Sequence, residues 1–301
     1  MKRFLSTKLG KLTLDNPIVV ASGTFSYEMN NFYDINNLGA IFTKTITPEP
    51  KIGNQPPRIY QTKYGLLNSI GIQNPGIKTF LEKDINEYKD ISCPLIVSFS
   101  ANKISTFELM LEKLETSSFI KGYEVNVSCP NVEKEGIAFG TDPSVIYALT
   151  SKLAKITNKE LIIKLTPNVS NIAEIAKAAE LGGATSISLI NTLYGMAIDW
   201  KTGKSFIKMG IAGYSGPAIK PIALALVYKV AKAINIPIIA MGGVASMEDV
   251  LEFIYAGASA VAIGTAQLPN PVLPYQIIKD LKDYFMLNNL YINDLKGKVS
   301  F

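Results

Sequence analysis

Eight short apolar runs recur along the chain and alternate with segments that have the spacing of amphipathic helices. The runs cover residues 17–21, 40–43, 95–98, 123–127, 161–165, 186–190, 236–241 and 260–264. Each run is apolar at consecutive positions, which is typical of parallel strands buried on both faces. The clearest helical segments cover residues 143–156, 171–184, 221–234 and 246–258. This alternation predicts an α/β fold, and eight units predict a (β/α)8 barrel of the TIM type.

Two additions to the barrel are expected from the pattern. Residues 4–16, "FLSTKLGKLTLDN", have the pattern of a short β-hairpin that closes the bottom of the barrel. Residues 45–76 form a long, turn-rich segment between the second and third strands. An inserted loop of this length is usually functional or disordered. The sequence has no interdomain linker and no low-complexity tract, so residues 1–301 are expected to form a single domain.

The chain contains no histidine, and this excludes several classes of active site. Ser–His–Asp and Cys–His nucleophile pairs, HExxH zinc sites and histidine acids or bases cannot be built. The two cysteines, Cys93 and Cys129, are too few for a four-thiolate cluster or zinc site within one chain. Proton transfer in this chain must therefore use Cys, Lys, Tyr, Asp or Glu.

The charge distribution argues against nucleic acid and membranes as partners. The formal net charge is +5, and lysine carries nearly all of the positive charge because only Arg3 and Arg58 are arginines. Proteins that read nucleic acid favour arginine for forked contacts, and no dense basic run is present. No apolar run reaches the roughly 18 residues of a membrane span, and no secretion signal is visible at the start. We expect a soluble, cytoplasmic protein.

Polar residues and glycines stand at the ends of almost all predicted strands. In a (β/α)8 barrel the reactive groups gather at the carboxyl ends of the strands. The residues there are Ser22, Lys44-Thr45, Ser98, Asn126 to Cys129, Lys164, Asn191-Thr192, Gly242-Gly243 and Gly264-Thr265. The two lysines could be fixed positive charges that face a ligand which becomes anionic, although lysines that reach from the rim to solvent would look the same in sequence.

The two cysteines occupy opposite ends of their strands. Cys129 follows the fourth strand and should face the mouth of the barrel, whereas Cys93 precedes the third strand and should lie at the bottom. We therefore expect chemistry from Cys129 and a buried structural role for Cys93. The glycines after the last two strands favour a phosphate site, although glycines there can also serve only as helix-entry turns.

Ten motifs, in this order, resemble those of class 1 dihydroorotate dehydrogenases, and most closely those of the NAD-linked 1B subgroup. They are "NPIVVASGTF", "FTKTIT", "GLLNSIGIQNPG", "NVSCPN", "FGTDP", "KLTPNV", "INT", "SGPAIKPIAL", "MGGV" and "GASAVAIGTA". The resemblance covers essentially the whole chain. Two of the motifs, "FGTDP" and "SGPAIKPIAL", point to 1B rather than to the fumarate-using 1A subgroup.

The resemblance implies a flavoprotein oxidoreductase of pyrimidine biosynthesis, which binds FMN in its barrel and oxidises dihydroorotate to orotate. Cys129 would be the catalytic base, taking a proton from C5 while hydride leaves C6 for N5 of FMN. The second class of the family uses serine there, so the cysteine supports class 1. A thiol with an ordinary pKa of about 8.5 is only partly ionised at neutral pH, so the site must favour the thiolate or rates should rise with pH.

The resemblance also implies the binding residues. The substrate would be held by Lys44, Asn68, Ser69, Ile70, Gly71, Ile72, Asn126, Asn191 and Thr192. FMN would be lined by Ser22, Lys44, Thr45, Ser98, Asn126, Lys164, Ile190 and Gly216, with its phosphate at Gly242, Gly243, Gly264 and Thr265. The segment "PNVEKEGIAFG" after Cys129 would be a lid with hinges at Gly136 and Gly140. No metal ligands are expected.

Three positions depart from the family pattern. Ser98 stands where an asparagine usually faces the flavin ring, Ala101 stands where glycine is usual, and Ile72 stands where leucine is common. These differences concern the hydrogen bonds around the flavin and leave the catalytic positions untouched.

Members of the 1B subgroup work with a second subunit, which carries FAD and a [2Fe–2S] cluster and passes electrons from FMN to NAD⁺. The expected assembly is a homodimer of this chain flanked by partner subunits, forming a heterotetramer. Two alternatives remain open at this level: a stand-alone 1A-like enzyme that uses fumarate or another acceptor, and a non-catalytic barrel that binds FMN or phosphate. The position of Lys44, Asn126, Cys129 and Asn191 at strand ends argues against the non-catalytic barrel.

Overall fold

The computed structural model describes residues 4–127 and 139–301. In chain order the strands are β1 (Thr7–Leu9), β2 (Leu12–Leu14), β3 (Ile18–Val20), β4 (Ile41–Phe42), β5 (Ile59–Gln61), β6 (Leu66–Asn68), β7 (Leu95–Phe99), β8 (Ile120–Asn126), β9 (Glu160–Lys164), β10 (Ser186–Leu189), β11 (Leu193–Gly195), β12 (Ala212–Ser215), β13 (Ile238–Met241) and β14 (Ala260–Ile263). The α-helices are α1 (Gly76–Glu82), α2 (Ile104–Glu115), α3 (Pro143–Leu153), α4 (Ile172–Leu181), α5 (Lys220–Ala231), α6 (Met247–Tyr255), α7 (Leu273–Asn288) and α8 (Ile292–Leu295). Short 3-10 turns cover Tyr27–Asn31, Ile35–Asn37, Asp84–Tyr88, Pro217–Ile219 and Thr265–Gln267.

Eight parallel strands form the barrel, and they are the eight predicted from the apolar runs. Their order around the sheet is β3-β14-β13-β10-β9-β8-β7-β4. A parallel bridge between Val19 and Ala40 joins the first and last of them and closes the ring. Nearly every residue of these strands is buried, because helices cover the outer face and side chains fill the interior. The (β/α)8 prediction is confirmed.

The predicted hairpin is also confirmed, and it closes the amino-terminal end of the barrel. β1 and β2 pair antiparallel with Thr7 opposite Leu14. Leu9 and Leu14 are fully buried in the same apolar cluster as the inward-facing residues of the barrel strands. Glu160, which is fully buried at the start of β9, accepts hydrogen bonds from the Lys11 N–H and the Ser186 hydroxyl, each at 2.6 Å. Apolar packing and this carboxylate together hold the hairpin against the bottom of the barrel.

The inserted segment 45–76 differs from its prediction as a turn-rich loop. It contains β5 and β6, which join β12 and β11 from a second insertion after β10 in an antiparallel sheet of order β11-β12-β6-β5. Asn68 of β6 lies opposite Gly213 of β12. The sequence pattern missed this sheet because its strands are only three or four residues long, half-exposed, and paired between distant parts of the chain.

The four helices predicted most clearly are present, each ending slightly before its predicted limit. α6 begins with a capping box: the Ser246 hydroxyl accepts the Asp249 N–H, and the Asp249 carboxylate accepts the Ser246 N–H. α4 ends just before two consecutive glycines, Gly182 and Gly183, and Gly183 adopts a φ of 99°. No helix in the two described ranges is both long enough and apolar enough to cross a membrane.

Candidate active site

A cavity of about 730 Å³ opens at the carboxyl ends of the barrel strands, beneath the added antiparallel sheet. Its wall includes all the described residues of the predicted substrate and cofactor sites except Ser98. These wall residues are Ser22, Lys44, Thr45, Asn68, Ser69, Ile70, Gly71, Ile72, Asn126, Lys164, Ile190, Asn191, Thr192, Gly216, Gly242, Gly243, Gly264 and Thr265. The fold therefore brings together residues from seven strand ends and both insertions, as expected when parallel strands end at one rim.

The wall as described does not include the proposed base, most of the predicted lid, or Ser98. Cys129, the proposed base, lies outside the described residues, as does the lid segment up to residue 138, which includes Gly136. Gly140 is described and buried. Ser98 is fully buried one layer below the cavity, where its hydroxyl lies 2.9 Å from Thr45 Oγ1 and 3.0 Å from Glu124 Oε1. The Ser98 side chain therefore lies behind Thr45 and is joined to the cavity wall through its hydrogen bond with Thr45.

An ion pair lies at the floor of the cavity, with Lys164 in the wall and Glu124 behind it. Lys164 Nζ is 3.3 Å from Glu124 Oε1 and 2.9 Å from Ser22 Oγ. The Ser188 hydroxyl donates to the other carboxylate oxygen of Glu124 at 3.0 Å. The Glu124 side chain is fully buried and that of Lys164 is 5% exposed, so both charges are desolvated and depend on each other.

Positive charge dominates the cavity wall. Lys44, Lys51 and Lys164 line it, and the described lining residues include no aspartate or glutamate. Burial lowers the pKa of Lys44 from its ordinary value, and the nearby cations Lys164 and Arg58 lower it further. An anion bound between these lysines would relieve their repulsion, so the cavity suits a negatively charged ligand.

The loop after β6 is held in an unusual backbone conformation. Gly71 and Ile72 both have positive φ, 75° and 51°, and a positive φ is an outlier for a β-branched residue. The Asn74 amide fastens this loop: it donates to Ile72 O at 2.7 Å and to Thr47 Oγ1 at 2.8 Å, and accepts from the N–H groups of Thr47 and Gly76. Asn54 donates to Ser69 Oγ at 2.8 Å from the other side. The residues of this loop that face the cavity are therefore positioned by two amides, Asn74 behind the wall and Asn54 within it.

Two glycine-rich turns form the opposite wall. Gly242 and Gly243 have φ values of 126° and 80°, which side chains rarely adopt, and the α6 amino terminus follows them. A Cβ added to Gly264 would meet only Ala21 Cβ, at 3.5 Å, within 4 Å. The missing side chain thus leaves room beside the cavity. Exposed backbone and a nearby helix amino terminus suit a phosphate group.

Sequence reasoning missed Glu124 and Asn168, although a signal existed for each. Glu124 is the one acidic residue in the run "YEVNV" and lies two positions before Asn126. Residues two apart in a strand point to the same face, so Glu124 must also face the barrel interior. Asn168 lies in the quoted motif "KLTPNV" and lines the cavity. It donates to Thr192 O at 3.0 Å and accepts the Tyr194 N–H at 3.1 Å, so it fixes the chain after β10.

Cys93 lies where the sequence predicted, just before β7 at the bottom of the barrel. Its thiol donates to Ile35 O across 3.7 Å, and burial raises its pKa to about 12. The side chain is half-buried, where a buried one was expected, and a thiol with so high a pKa is protonated at neutral pH, in agreement with a structural role.

Comparisons with known proteins agree with this architecture. A protein from Thermoanaerobacter pseudethanolicus named dihydroorotate dehydrogenase B (NAD(+)), catalytic subunit, is 49% identical over 298 residues, 98% of each chain. A protein of the same name from Carboxydothermus hydrogenoformans is 44% identical over 288 residues, 95% of this chain and 94% of the relative. A crystal structure of DHODH from Eimeria tenella in complex with ferulenol has the same fold, with a TM-score of 0.80 at 21% identity, over 99% of this chain and 89% of that one. Since the family model described as dihydroorotate dehydrogenase matches residues 4–285, this chain belongs to the dihydroorotate dehydrogenase family.

Proposed function

We propose that this chain is the catalytic subunit of an NAD-linked dihydroorotate dehydrogenase, which oxidises dihydroorotate to orotate in pyrimidine biosynthesis. The observation that carries the proposal is the lining of one cavity by Lys44, Lys164 and the amides of Asn68, Asn126 and Asn191. The full-length relatives that carry this enzyme name support it.

The chemistry of the wall fits the substrate. Dihydroorotate combines a carboxylate with a ring that alternates N–H donors and carbonyl acceptors. An asparagine amide offers one acceptor and two donors, so Asn68, Asn126 and Asn191 match the ring edge. Lys44 supplies positive charge for the carboxylate. We assign Ser69, Ile70, Gly71, Ile72 and Thr192 to the remainder of the substrate site.

FMN is the proposed cofactor, and when bound it supplies the acceptor for the hydride that leaves C6. We assign Ser22, Thr45, Lys164, Ile190 and Gly216 to its ring and ribityl chain. Gly242, Gly243, Gly264 and Thr265 would hold its phosphate at the open glycine wall. Ser98 would act on the ring only through Thr45, since its hydroxyl lies behind that residue. Because the cavity draws on residues from Ala21 to Leu268, we propose that residues 1–301 act as one domain.

Cys129 is the proposed base. Oxidation removes a proton from C5 and a hydride from C6, and the electron pair of the C5–H bond forms the new double bond. The Cys129 thiolate would take the proton. In a chain without histidine, this cysteine is the side chain at a strand end whose ordinary pKa lies closest to neutrality.

Electrons would leave the chain for NAD⁺ through a partner subunit that carries FAD and a [2Fe–2S] cluster. Two cysteines cannot bind that cluster, and the relatives are named as catalytic subunits, which supports a separate partner. The loop between β11 and β12 exposes large apolar side chains, among them Trp200 at 85%, Met209 at 58% and Ile198 at 52%. Exposed apolar patches of this kind mark protein contacts, in agreement with the proposed homodimer flanked by partner subunits.

The proposal is tested by mixing the purified chain, loaded with FMN, with dihydroorotate in the absence of oxygen. We expect loss of the yellow flavin absorption and formation of one orotate per flavin. Cys129→Ala should keep FMN and lose most of the rate of bleaching. Cys93→Ala is the matched control, because it removes the other thiol at the far end of the barrel.

The outcomes separate the parts of the proposal. A yellow protein that never bleaches with dihydroorotate, even with an FAD/iron–sulfur partner present, would reject the substrate. A chain that binds no FMN when it is added back would reject the cofactor. Bleaching of Cys129→Ala at the wild-type rate would reject the base. If the reduced chain passes electrons to fumarate but does not pass them to NAD⁺ through such a partner, the assignment of NAD⁺ as the acceptor is wrong.

A further inference from the structure

Two carboxylates are fully buried inside the described part of the barrel, and they lie at different levels along its axis. Glu160 lies at the bottom, where it accepts from the Lys11 N–H and from Ser186. Glu124 lies two residues closer to the mouth, in β8 opposite Ile162 of β9, whereas Glu160 lies opposite Gly122. Glu160 fastens the hairpin, whereas Glu124 has no contact with the hairpin among its hydrogen-bond partners, which are Ser98, Lys164 and Ser188.

The hydrogen bonds around Glu124 connect it to the cavity wall in a fixed direction. An ionised carboxylate only accepts, so the hydroxyls of Ser98 and Ser188 donate to it. Since the Ser98 hydrogen is used there, the Thr45 hydroxyl must donate to Ser98 across 2.9 Å. Lys164 donates to the same carboxylate and to Ser22. Three wall residues, Thr45, Lys164 and Ser22, are thus oriented by one buried anion.

We propose that Glu124 is a positioning residue, which holds the Lys164 ammonium at the cavity floor and through it sets the reduction potential of the bound flavin. The inference rests on the proposed function, because it requires FMN in this cavity. Reduction by two electrons makes the flavin more negative. A cation fixed against the ring stabilises the reduced form, and the paired carboxylate offsets part of that stabilisation.

The sign of the effect follows from this pairing. Glu124→Gln keeps the side-chain shape and an acceptor for Lys164, but it removes the negative charge that offsets the ammonium. The reduced flavin is then favoured, so the midpoint potential rises. We expect the equilibrium constant for two-electron reduction to increase at least tenfold, which corresponds to about 30 mV.

Glu160→Gln is the matched control. It removes an equally buried carboxylate from the same barrel, and this carboxylate also accepts from a serine of β10. If Glu124 were only structural, both variants would lose stability and neither would change the potential of the flavin that remains bound.

The experiment measures the midpoint potential by anaerobic spectroelectrochemistry on the full chain with FMN, for wild type, Glu124→Gln, Glu160→Gln, Lys164→Gln and the double variant Glu124→Gln/Lys164→Gln. Lys164→Gln should lower the potential. Because Glu124 acts through Lys164, Glu124→Gln should add less than a threefold change in that background. The Kd for FMN is measured alongside.

Failure of this inference is distinguishable from failure of the proposed function. A wild-type chain that binds no FMN overturns both. A wild-type chain that binds FMN while Glu124→Gln keeps its potential, or shifts only as Glu160→Gln does, overturns the role of Glu124 alone. If Glu124→Gln shifts the potential as much in the Lys164→Gln background as it does in wild type, Glu124 does not act through Lys164. If Glu124→Gln does not fold, Glu124→Asp is used instead. It keeps the charge, but its shorter side chain places the carboxylate farther from Lys164. An unchanged potential in that variant is equally decisive against the role.

Discussion

The amide of Asn74 donates a 2.7 Å hydrogen bond to the carbonyl oxygen of Ile72, two residues earlier in the chain. Ile72 has a φ of 51°, which is unfavourable for a β-branched side chain. Asn74 also fastens the loop to Thr47, just beyond the Lys44-Thr45 strand end. The backbone of the proposed substrate loop is therefore held in an unfavourable positive-φ conformation at Ile72. The side chain that holds it, Asn74, is buried and does not line the cavity.

Asn74→Ala should weaken substrate binding without weakening FMN binding. The variant leaves the buried N–H groups of Thr47 and Gly76 without their acceptor, so the free energy of unfolding should fall by about 3 kcal/mol. Release of Ile72 should raise the KM for dihydroorotate at least tenfold. Asn16→Ala is the control, because Asn16 is also buried and accepts the Ile18 N–H far from the cavity. Equal KM values in the two variants would contradict the loop-holding role.

Binding of orotate should weaken as the solution becomes alkaline, and earlier than an ordinary lysine would cause. The pKa of Lys44 lies below its usual 10.5 because of burial and the charges of Lys164 and Arg58. An anion binds the protonated form, so affinity is full below the Lys44 pKa and falls as pH rises through it. Orotate affinity from pH 7 to 10 should decline in wild type and stay flatter in Lys44→Gln. If orotate affinity declines with pH equally in wild type and in Lys44→Gln, Lys44 is not the titrating group.

Gly10→Ala should destabilise the protein while leaving the cavity chemistry of the folded fraction intact. Gly10 has a φ of 52°, and an added Cβ would overlap the Glu160 carboxylate. We expect a loss of at least about 2 kcal/mol in urea unfolding. Gly297→Ala, with a φ of 71° and no atom within 4 Å of the new Cβ, has the backbone strain without the overlap, and should cost about 1 kcal/mol. Equal losses would show that the contact with Glu160 contributes nothing.

Ser246→Ala should cost about 1 kcal/mol, because it removes the hydroxyl that accepts the Asp249 N–H at the start of α6. Asn171→Ala is the comparison, since Asn171 occupies the same position at α4 and makes no cap hydrogen bond. Thermal unfolding of the two variants distinguishes them. A Tm for Ser246→Ala no lower than that for Asn171→Ala would mean that the capping box adds no stability.

The barrel could be predicted from sequence because its signal is local. A parallel strand covered on both faces is apolar at nearly every position, so runs such as 161–165 and 260–264 can be recognised as strands from the sequence. Once eight strands are counted, fold geometry places their carboxyl ends together, and Lys44, Asn126 and Gly264 were expected at one rim for that reason. The added sheet has no such signal, since Asn68 meets Gly213 only after the chain has passed through most of the barrel.

The sequence by itself determined the strands, the absence of histidine and the residues available for chemistry, because these depend on composition and on patterns of a few neighbouring residues. Only the tertiary structure decided which side chains meet. Ser98 follows the pattern of a wall residue, yet it lies under Thr45 and donates to Glu124. Closure of the barrel brings Ser22 within 2.9 Å of Lys164, although 142 residues separate them in the chain. Contacts of this kind depend on distance in space, which no local pattern of residues encodes.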